Sequence, residues 1–462
     1  MTNMNSVPPR RVCSFLPIAT IAFVATAMAA PTSEPTPASQ SASAPTFPDA
    51  AASDPVTLGW MVGTPPAPDK VIRQIDGSFY KFPRTRWSFS HWRELFPTVH
   101  ISRGEGPVAP LPRLQSPPDL EAVSFTPATA DAKPMTFAQA LQTVYTDGVV
   151  VLHQGRIVYE KYFGALDAER PHMCFSVTKS FYGTLAAMLV AEGKLDENAP
   201  VTRYIPELAQ SGFGDATVRQ VLDMTTALDF TENYADPKSS FVEYARAAGM
   251  LPRPPGATGP QDVYTFAASI PKGGTHGERF TYRSPNTDVV GWLVARASGP
   301  TERPDTVLQK RIWSRLGAEG DAYMSVDPSG NAAAAGGLNV RLRDLARFGE
   351  TMRLGGKFNG QQIVPAAVVE RIRQGADPAK FAPAGYATMP GWSYRDQWWI
   401  SHDDHGVFMA RGIHGQAIYV DPKAEMVIAR FSSHPVAATV TFDPIVLPAY
   451  RAVAERLMAS AP

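Results

Sequence analysis

The sequence predicts an α+β fold in which one antiparallel sheet is completed from both ends of the folded region, with a mostly helical segment inserted between them. Three observations carry this. Runs rich in β-formers appear early, helical periodicity dominates the middle, and strand character returns late, before a closing helix. The early runs are 148–152 and 157–163, joined at Gln154-Gly155, a dipeptide suited to a tight hairpin. Residues 176–192 then read as a helix, with Phe181, Leu185, Met188 and Leu189 at helical spacing and Gly193 as its stop. Further helices are expected at 218–224, 288–297, 342–354 and 366–374. Late strands are expected at 397–401, 415–420 and 426–432, the last two joined across Asp421-Pro422-Lys423, and 445–459 closes the chain as a helix.

Composition narrows the function classes. Of 462 residues, 44% are apolar, enough for a large core. Basic and acidic residues both number 43, so no net field favours nucleic acid or an anionic membrane, and the expected partner is a small molecule. The oligomeric state is not legible.

Four regions are expected along the chain. Arg10 and Arg11, an apolar run over 15–25 and Ala27-Met28-Ala29 lay out a signal peptide at 1–29, which implies an exported protein, periplasmic or secreted. The run is shorter than the roughly 20 residues needed to span a bilayer, so no permanent membrane anchor is expected, and Sec and Tat export both stay open. A tether at 30–56 follows, rich in Pro, Ser, Thr and Ala. An irregular N-terminal extension at 57–135, rich in proline and aromatics, should pack on the core. The main domain is 136–462, with its helical subdomain at about 195–335.

Chemistry concentrates at Ser176-Val177-Thr178-Lys179. Three residues apart on a helix, the hydroxyl and the amine share one face. A lysine whose pKa is lowered by desolvation can take the serine's proton, which makes Ser176 a candidate nucleophile and Lys179 its base. The bland alternative is an N-cap serine beside a solvated lysine. Ser78-Phe79-Tyr80-Lys81 repeats the spacing in a proline-rich segment with no helical continuation and reads as accidental. Cys174, alone once the signal is removed, reads as a small buried residue.

Phe175-Ser176-Val177-Thr178-Lys179-Ser180, together with Gly193-Lys194-Leu195-Asp196, Val221-Leu222-Asp223-Met224-Thr225 and Gly336-Gly337-Leu338, resembles the serine β-lactamase and penicillin-binding superfamily. The resemblance lies in its class C-like branch and is strongest to the 6-aminohexanoate-dimer hydrolase subfamily. It covers 148 to the C-terminus, and 59–104 is similar to that subfamily's N-terminal extension. It implies a β-lactamase/transpeptidase-like fold and a serine amidase or esterase working through an acyl-enzyme, without metal or organic cofactor.

Residue by residue, the family's Tyr-x-Asn falls on Tyr282-Arg283-Ser284, which makes Tyr282 the candidate general acid/base and puts Ser284 where the family's asparagine handles substrate. A buried tyrosine with an ordinary hydrogen bond is the alternative for Tyr282. The family's Lys-Thr-Gly falls on Ala410-Arg411-Gly412, where only the glycine is kept. The resemblance then implies an oxyanion hole from the backbone N–H groups of Ser176 and Ile413, with Gly412 allowing close approach of substrate and Arg411 offering a replacement positive charge for a substrate carboxylate. Tyr234 matches the loop tyrosine that the aminohexanoate hydrolases fold over substrate; a small surface anchor is its alternative. His414 reads as a satisfied structural histidine, and His402, Asp403, Asp404 and His405 as a solvated loop rather than a metal site. The expected substrate is a linear amide or ester. A β-lactamase or D,D-peptidase is the rival within the fold, and a non-catalytic binding protein the rival from another class.

Overall fold

The computed structural model describes residues 47–460. The expected signal peptide and most of the tether lie outside them. The tether reading fails from residue 47 onward, because Ser53 and Pro55 are buried and the Arg86 guanidinium donates to Ala50 O at 2.8 Å and Ser53 Oγ at 3.1 Å. Arg86, together with Tyr145, which donates to Pro48 O at 3.1 Å, and Phe82, edge-on to Phe47 at 5.7 Å, orders a stretch whose own composition offers no core.

Eleven strands carry the argument: β1 Thr98–Ile101, β2 Thr146–His153, β3 Arg156–Tyr162, β4 His172–Met173, β5 Ala322–Ser325, β6 Leu338–Val340, β7 Ser393–Arg395, β8 Trp398–Ile400, β9 Phe408–Gly412, β10 Gln416–Asp421 and β11 Met426–Ser432. The main sheet runs β7-β8-β9-β10-β11-β2-β3 and every neighbouring pair is antiparallel. The late strand β11 pairs with the early strand β2, Ile428 opposite Val151, so the two ends of the domain close one sheet as expected. The β2–β3 hairpin turns on Gln154 and Gly155, with φ of 50° and 76°, the left-handed pair that matches strand twist.

Strand alternation sends Val150, Leu152, Ile418, Val420 and Val427 into a core shared with α1 (Val177–Ala191) and α3 (Leu342–Arg353). The intervening Val149, Val151, Tyr419 and Ile428 face the closing helix α4 (Asp443–Ala459) through Tyr450, Val453 and Leu457. Both faces are covered, which is why β2 reads as a continuous apolar run rather than an alternating one. Each fully buried valine or leucine contributes about 1.5–3 kcal/mol.

Helix α1 is buried from Val177 to Leu189 and packs as a central rod. Phe181 stacks on Phe348 of α3, centroids 3.8 Å apart. At Gly183 any Cβ would lie 2.0 Å from Asp396 O, so the rod sits flush against the turn before β8. Its outer side meets α2 (Pro285–Ser298) and the helical segment, which includes Val218–Leu222, Ser240–Ala247, Val263–Ser269 and Pro304–Arg311.

A smaller sheet, β1-β5-β6-β4, is built across this segment. The N-terminal region contributes β1 and an aromatic cluster in which Phe89 meets Phe175 edge-on at 4.8 Å and Trp92 stacks on Phe96 at 4.2 Å. Trp92 also donates to Ser325 Oγ at 2.8 Å. Among the described residues no helix is long and apolar enough to cross a membrane.

Candidate active site

Strand β4 leads into the turn that presents Ser176. Cys174 N donates to Leu338 O at 2.8 Å, and Leu338 N donates to Thr178 Oγ1 at 3.2 Å, so the turn is tied to β6 on both sides. Phe175 holds φ of 44°, a left-handed conformation that is costly for an aromatic residue and is locked by the cluster around its ring. Ser176 follows with helical angles, and its side chain caps nothing. The N-cap alternative is therefore excluded, and the hydroxyl is left for other work.

One turn further along α1, Lys179 is 1% exposed. Its Nζ lies 3.1 Å from Ser176 Oγ and 3.1 Å from Ser284 Oγ, and it also donates to Ala335 O. Burial pulls its pKa down to about 8, while Glu232 and Asp288 pull it back up. Close to neutrality such an amine is divided between its two forms, as a general base requires.

Tyr282 comes from the loop before α2. Its ring faces Trp399 of β8 at 5.7 Å and lies under Lys179 Nζ at 5.3 Å. Burial and the nearby Glu232 carboxylate raise its phenol well above the usual range, and interaction with the Ser176 side chain opposes that rise. The phenol is thus protonated at neutral pH. The serine and lysine at the start of α1 and the tyrosine from the loop before α2 meet in one crevice, as the family pattern implies.

Strand β9 ends against the nucleophile. Gly412 packs so tightly there that a Cβ would lie 2.7 Å from Cys174 O and 3.1 Å from Ser176 N. This close approach brings the Ile413 backbone to the same crevice as Ser176, and both residues line it. Two backbone N–H groups so placed suit an oxyanion.

Arg411 does not offer the free charge expected of it. Its guanidinium donates to both carboxylate oxygens of Asp443, at 2.6 and 2.7 Å, and to Thr439 Oγ1 at 2.8 Å. The partner sits at the start of α4, far along the chain, and neutralises the arginine before any substrate arrives. The side chain still borders the cavity.

Ser284 is buried and bonded on two sides, accepting from Lys179 and donating to Glu232 Oε1 at 2.7 Å. Tyr234 reaches the site from the loop, its hydroxyl also donating to Glu232 Oε1 at 2.6 Å and its ring edge-on to Phe241 at 4.7 Å. It lines both arms of the crevice. One is an open cavity of about 840 Å³ bordered by Tyr80, Tyr282, Trp399 and Ile413; the other is a narrow apolar cleft of about 50 Å³ running from Ser176 past Phe175, Phe241 and Met250. The ring therefore lies in the wall of the crevice rather than on the outer surface.

Nothing in the sequence marks Glu232, although it stands two residues before Tyr234 in the same loop. Asp288 is equally unmarked. Its buried carboxylate accepts from Tyr244 Oη at 2.6 Å and from Ala335 N at 3.1 Å, and burial raises it to about 6. An acidic residue near a tyrosine motif is the only signal either one gave.

The remaining candidates sort as follows. His414 is buried, with Nδ1 on His434 O at 2.7 Å and Nε2 on Tyr80 Oη at 3.0 Å, and burial holds it near pKa 4. Cys174 is buried and its thiol is pushed up. Ser78 spends its hydroxyl on Arg73 O and N in a local turn. The solvated-loop reading of 402–405 holds only in part: His405 is 4% exposed and its Nδ1 lies 2.6 Å from Asp421 Oδ2, while His402 Nε2 meets Ser393 Oγ at 2.7 Å. A buried carboxylate on β10, invisible in the local sequence, draws His405 inward.

Residues 136–445 match the Beta-lactamase family. The 6-aminohexanoate-dimer hydrolase of Paenarthrobacter ureafaciens is 35% identical over 365 residues, which span 78% of this chain and 88% of that protein. A solved structure named as a 6-aminohexanoate-dimer hydrolase from Bacillus anthracis is similar at a TM-score of 0.75 and 29% identity, over 86% of this chain and 99% of that one. The octameric penicillin-binding protein homologue from Pyrococcus abyssi shares the fold at a TM-score of 0.52 and 18% identity, over 67% of this chain and 75% of that one. On the sheet, the crevice and these likenesses together, the chain belongs to the β-lactamase family and is one of its serine hydrolases.

Proposed function

We propose that the protein hydrolyses a linear amide or ester, of the kind represented by the 6-aminohexanoate dimer, through an acyl-enzyme on Ser176. The observation that carries the reading is the desolvated Lys179 Nζ 3.1 Å from Ser176 Oγ. Lys179 takes the Ser176 proton as the hydroxyl attacks the carbonyl carbon. The backbone N–H groups of Ser176 and Ile413 receive the developing oxyanion, each such donor being worth about 3 kcal/mol. Tyr282 gives its proton to the departing nitrogen or oxygen, and the Lys179 proton restores the phenol through the same cluster. Water then releases the acid by the reverse sequence.

Substrate class follows from the crevice. With Arg411 held by Asp443, the described residues lining the open cavity present no free arginine or lysine for a β-lactam carboxylate, which favours an uncyclised substrate. Tyr234 closes over the bound chain at the junction of the two arms, and Ser284 and Gly412 border it. Purified enzyme is expected to turn over the 6-aminohexanoate dimer and p-nitrophenyl esters faster than nitrocefin; faster nitrocefin turnover would instead place it with the β-lactamases.

A pH profile provides a second check. Only the neutral amine can accept a proton, and the pKa is depressed to about 8, so kcat/KM should rise tenfold per unit at acid pH and level off above about 8. A flat profile between pH 6 and 9 contradicts Lys179 as the base.

Export belongs to the same reading, on the N-terminal sequence pattern. The mature N-terminus recovered from the periplasm or medium is expected at Ala30.

A further inference from the structure

Glu232 has no part in the proposed steps, yet its carboxylate is the point at which three donors of the crevice meet. It accepts from the Ser284 backbone N–H, from Ser284 Oγ at 2.7 Å and from Tyr234 Oη at 2.6 Å. Ser284 Oγ in turn is 3.1 Å from Lys179 Nζ. A carboxylate only accepts, so the single Ser284 proton must point to Glu232. The lone pairs of Ser284 Oγ then face Lys179, which has to donate one N–H to it. Ala335 O can only accept and takes a second N–H. A neutral amine has two N–H bonds and one lone pair, so the lone pair is left for the third neighbour, Ser176 Oγ.

We infer that Glu232 is a positioning residue, fixing the direction of the chain Lys179 to Ser284 to Glu232 and so aiming the lysine lone pair at the nucleophile. The inference rests on the Ser176 and Lys179 roles proposed above. It also accounts for serine at 284: a hydroxyl can receive from the amine and pass its own proton on to the carboxylate, completing the chain with one atom. When Lys179 becomes cationic on accepting the Ser176 proton, the same chain places a negative charge at its far end, as a third group does for the base in other serine hydrolases.

The charged and titratable surroundings are few. Asp288, on α2, is the other acid acting on Lys179 and is bonded to Tyr244. The Tyr282 ring lies 5.3 Å from the amine. Arg283, next to Ser284, turns its guanidinium to Phe230 O and Thr226 O. Loss of the Glu232 charge therefore leaves burial and Asp288 to set the lysine, and the lysine should titrate lower.

The test compares kcat/KM profiles from pH 5 to 10 on one p-nitrophenyl ester for the full-length protein and its Glu232→Gln, Glu232→Asp and Ser284→Ala variants. Glu232→Gln should lower the plateau about 10-fold or more and move the acid limb to lower pH, since an amide can also donate and no longer fixes the direction. Glu232→Asp should bring the limb back toward the wild-type position. A Glu232→Gln profile reduced in height but unmoved in pH would assign a merely structural role and overturn the inference. If Glu232→Gln does not fold, Ser284→Ala decides alone: a drop in kcat at unchanged KM supports the chain, and unchanged kcat refutes it. Ser176→Ala run alongside separates the two levels, because turnover surviving in that variant defeats the underlying reading, whereas Ser176-dependent turnover with an unmoved Glu232→Gln limb defeats only this one.

Discussion

In a Ser176→Ala variant, hydrolysis is expected to fall by about 10⁴- to 10⁶-fold with the fold intact. The hydroxyl supplies the atom that bonds to the carbonyl carbon, and no neighbouring group can replace it. Cys174 is buried behind the turn with its thiol held protonated, and Ser284 Oγ spends its proton on Glu232. The residual rate reflects binding and oxyanion stabilisation alone. Stability should change little, because Ser176 caps no helix and alanine is the best helix former. Thermal melts of the two proteins alongside the assay verify both halves. Retained activity in a pure preparation would reject the nucleophile.

Lys179→Met is expected to cost about 10²- to 10⁴-fold in kcat, the usual contribution of a positioned base. Methionine fills similar space and removes the titrating group. It leaves Ser284 Oγ and Ala335 O without their donor, a penalty of about 1–3 kcal/mol for a buried acceptor. Removing a buried amine offsets part of it. The diagnostic readout is the shape of the profile: the remaining activity should lose the inflection near pH 8 that is expected of wild type. A variant that kept the inflection would point to a different base.

Much of this architecture is legible in the sequence, for identifiable reasons. The β2–β3 hairpin announces itself by two runs around Gln154-Gly155, and α1 by apolar spacing that ends at Gly193. Both signals are local. Ser176 and Lys179 were found the same way, since a helix fixes their geometry without outside help. Tyr282, Ile413 and Gly412 needed the family pattern, because each reaches the crevice from a distant segment and nothing local marks it.

What stayed hidden depended on long-range partners. β5 and β6 span four and three residues, too short for a period-two signal, and are strands because distant partners pair with them, β1 with β5 and β4 with β6. Arg411 looked free because Asp443, which neutralises it, lies beyond two further strands. His405 looked solvated for the same reason, with Asp421 out of sight. Glu232 looked like an ordinary loop acid, and only the fold brings Ser284, Tyr234 and the field of Lys179 around it.

The most direct measurement of the central claim is peptide mass mapping after treatment of the wild-type protein and the Ser176→Ala variant with a fluorophosphonate. A single adduct on the peptide carrying Ser176, absent from the variant and formed in step with loss of activity, is the predicted result. An adduct at another serine that tracks inactivation, or complete inactivation with Ser176 unmodified, would contradict the account.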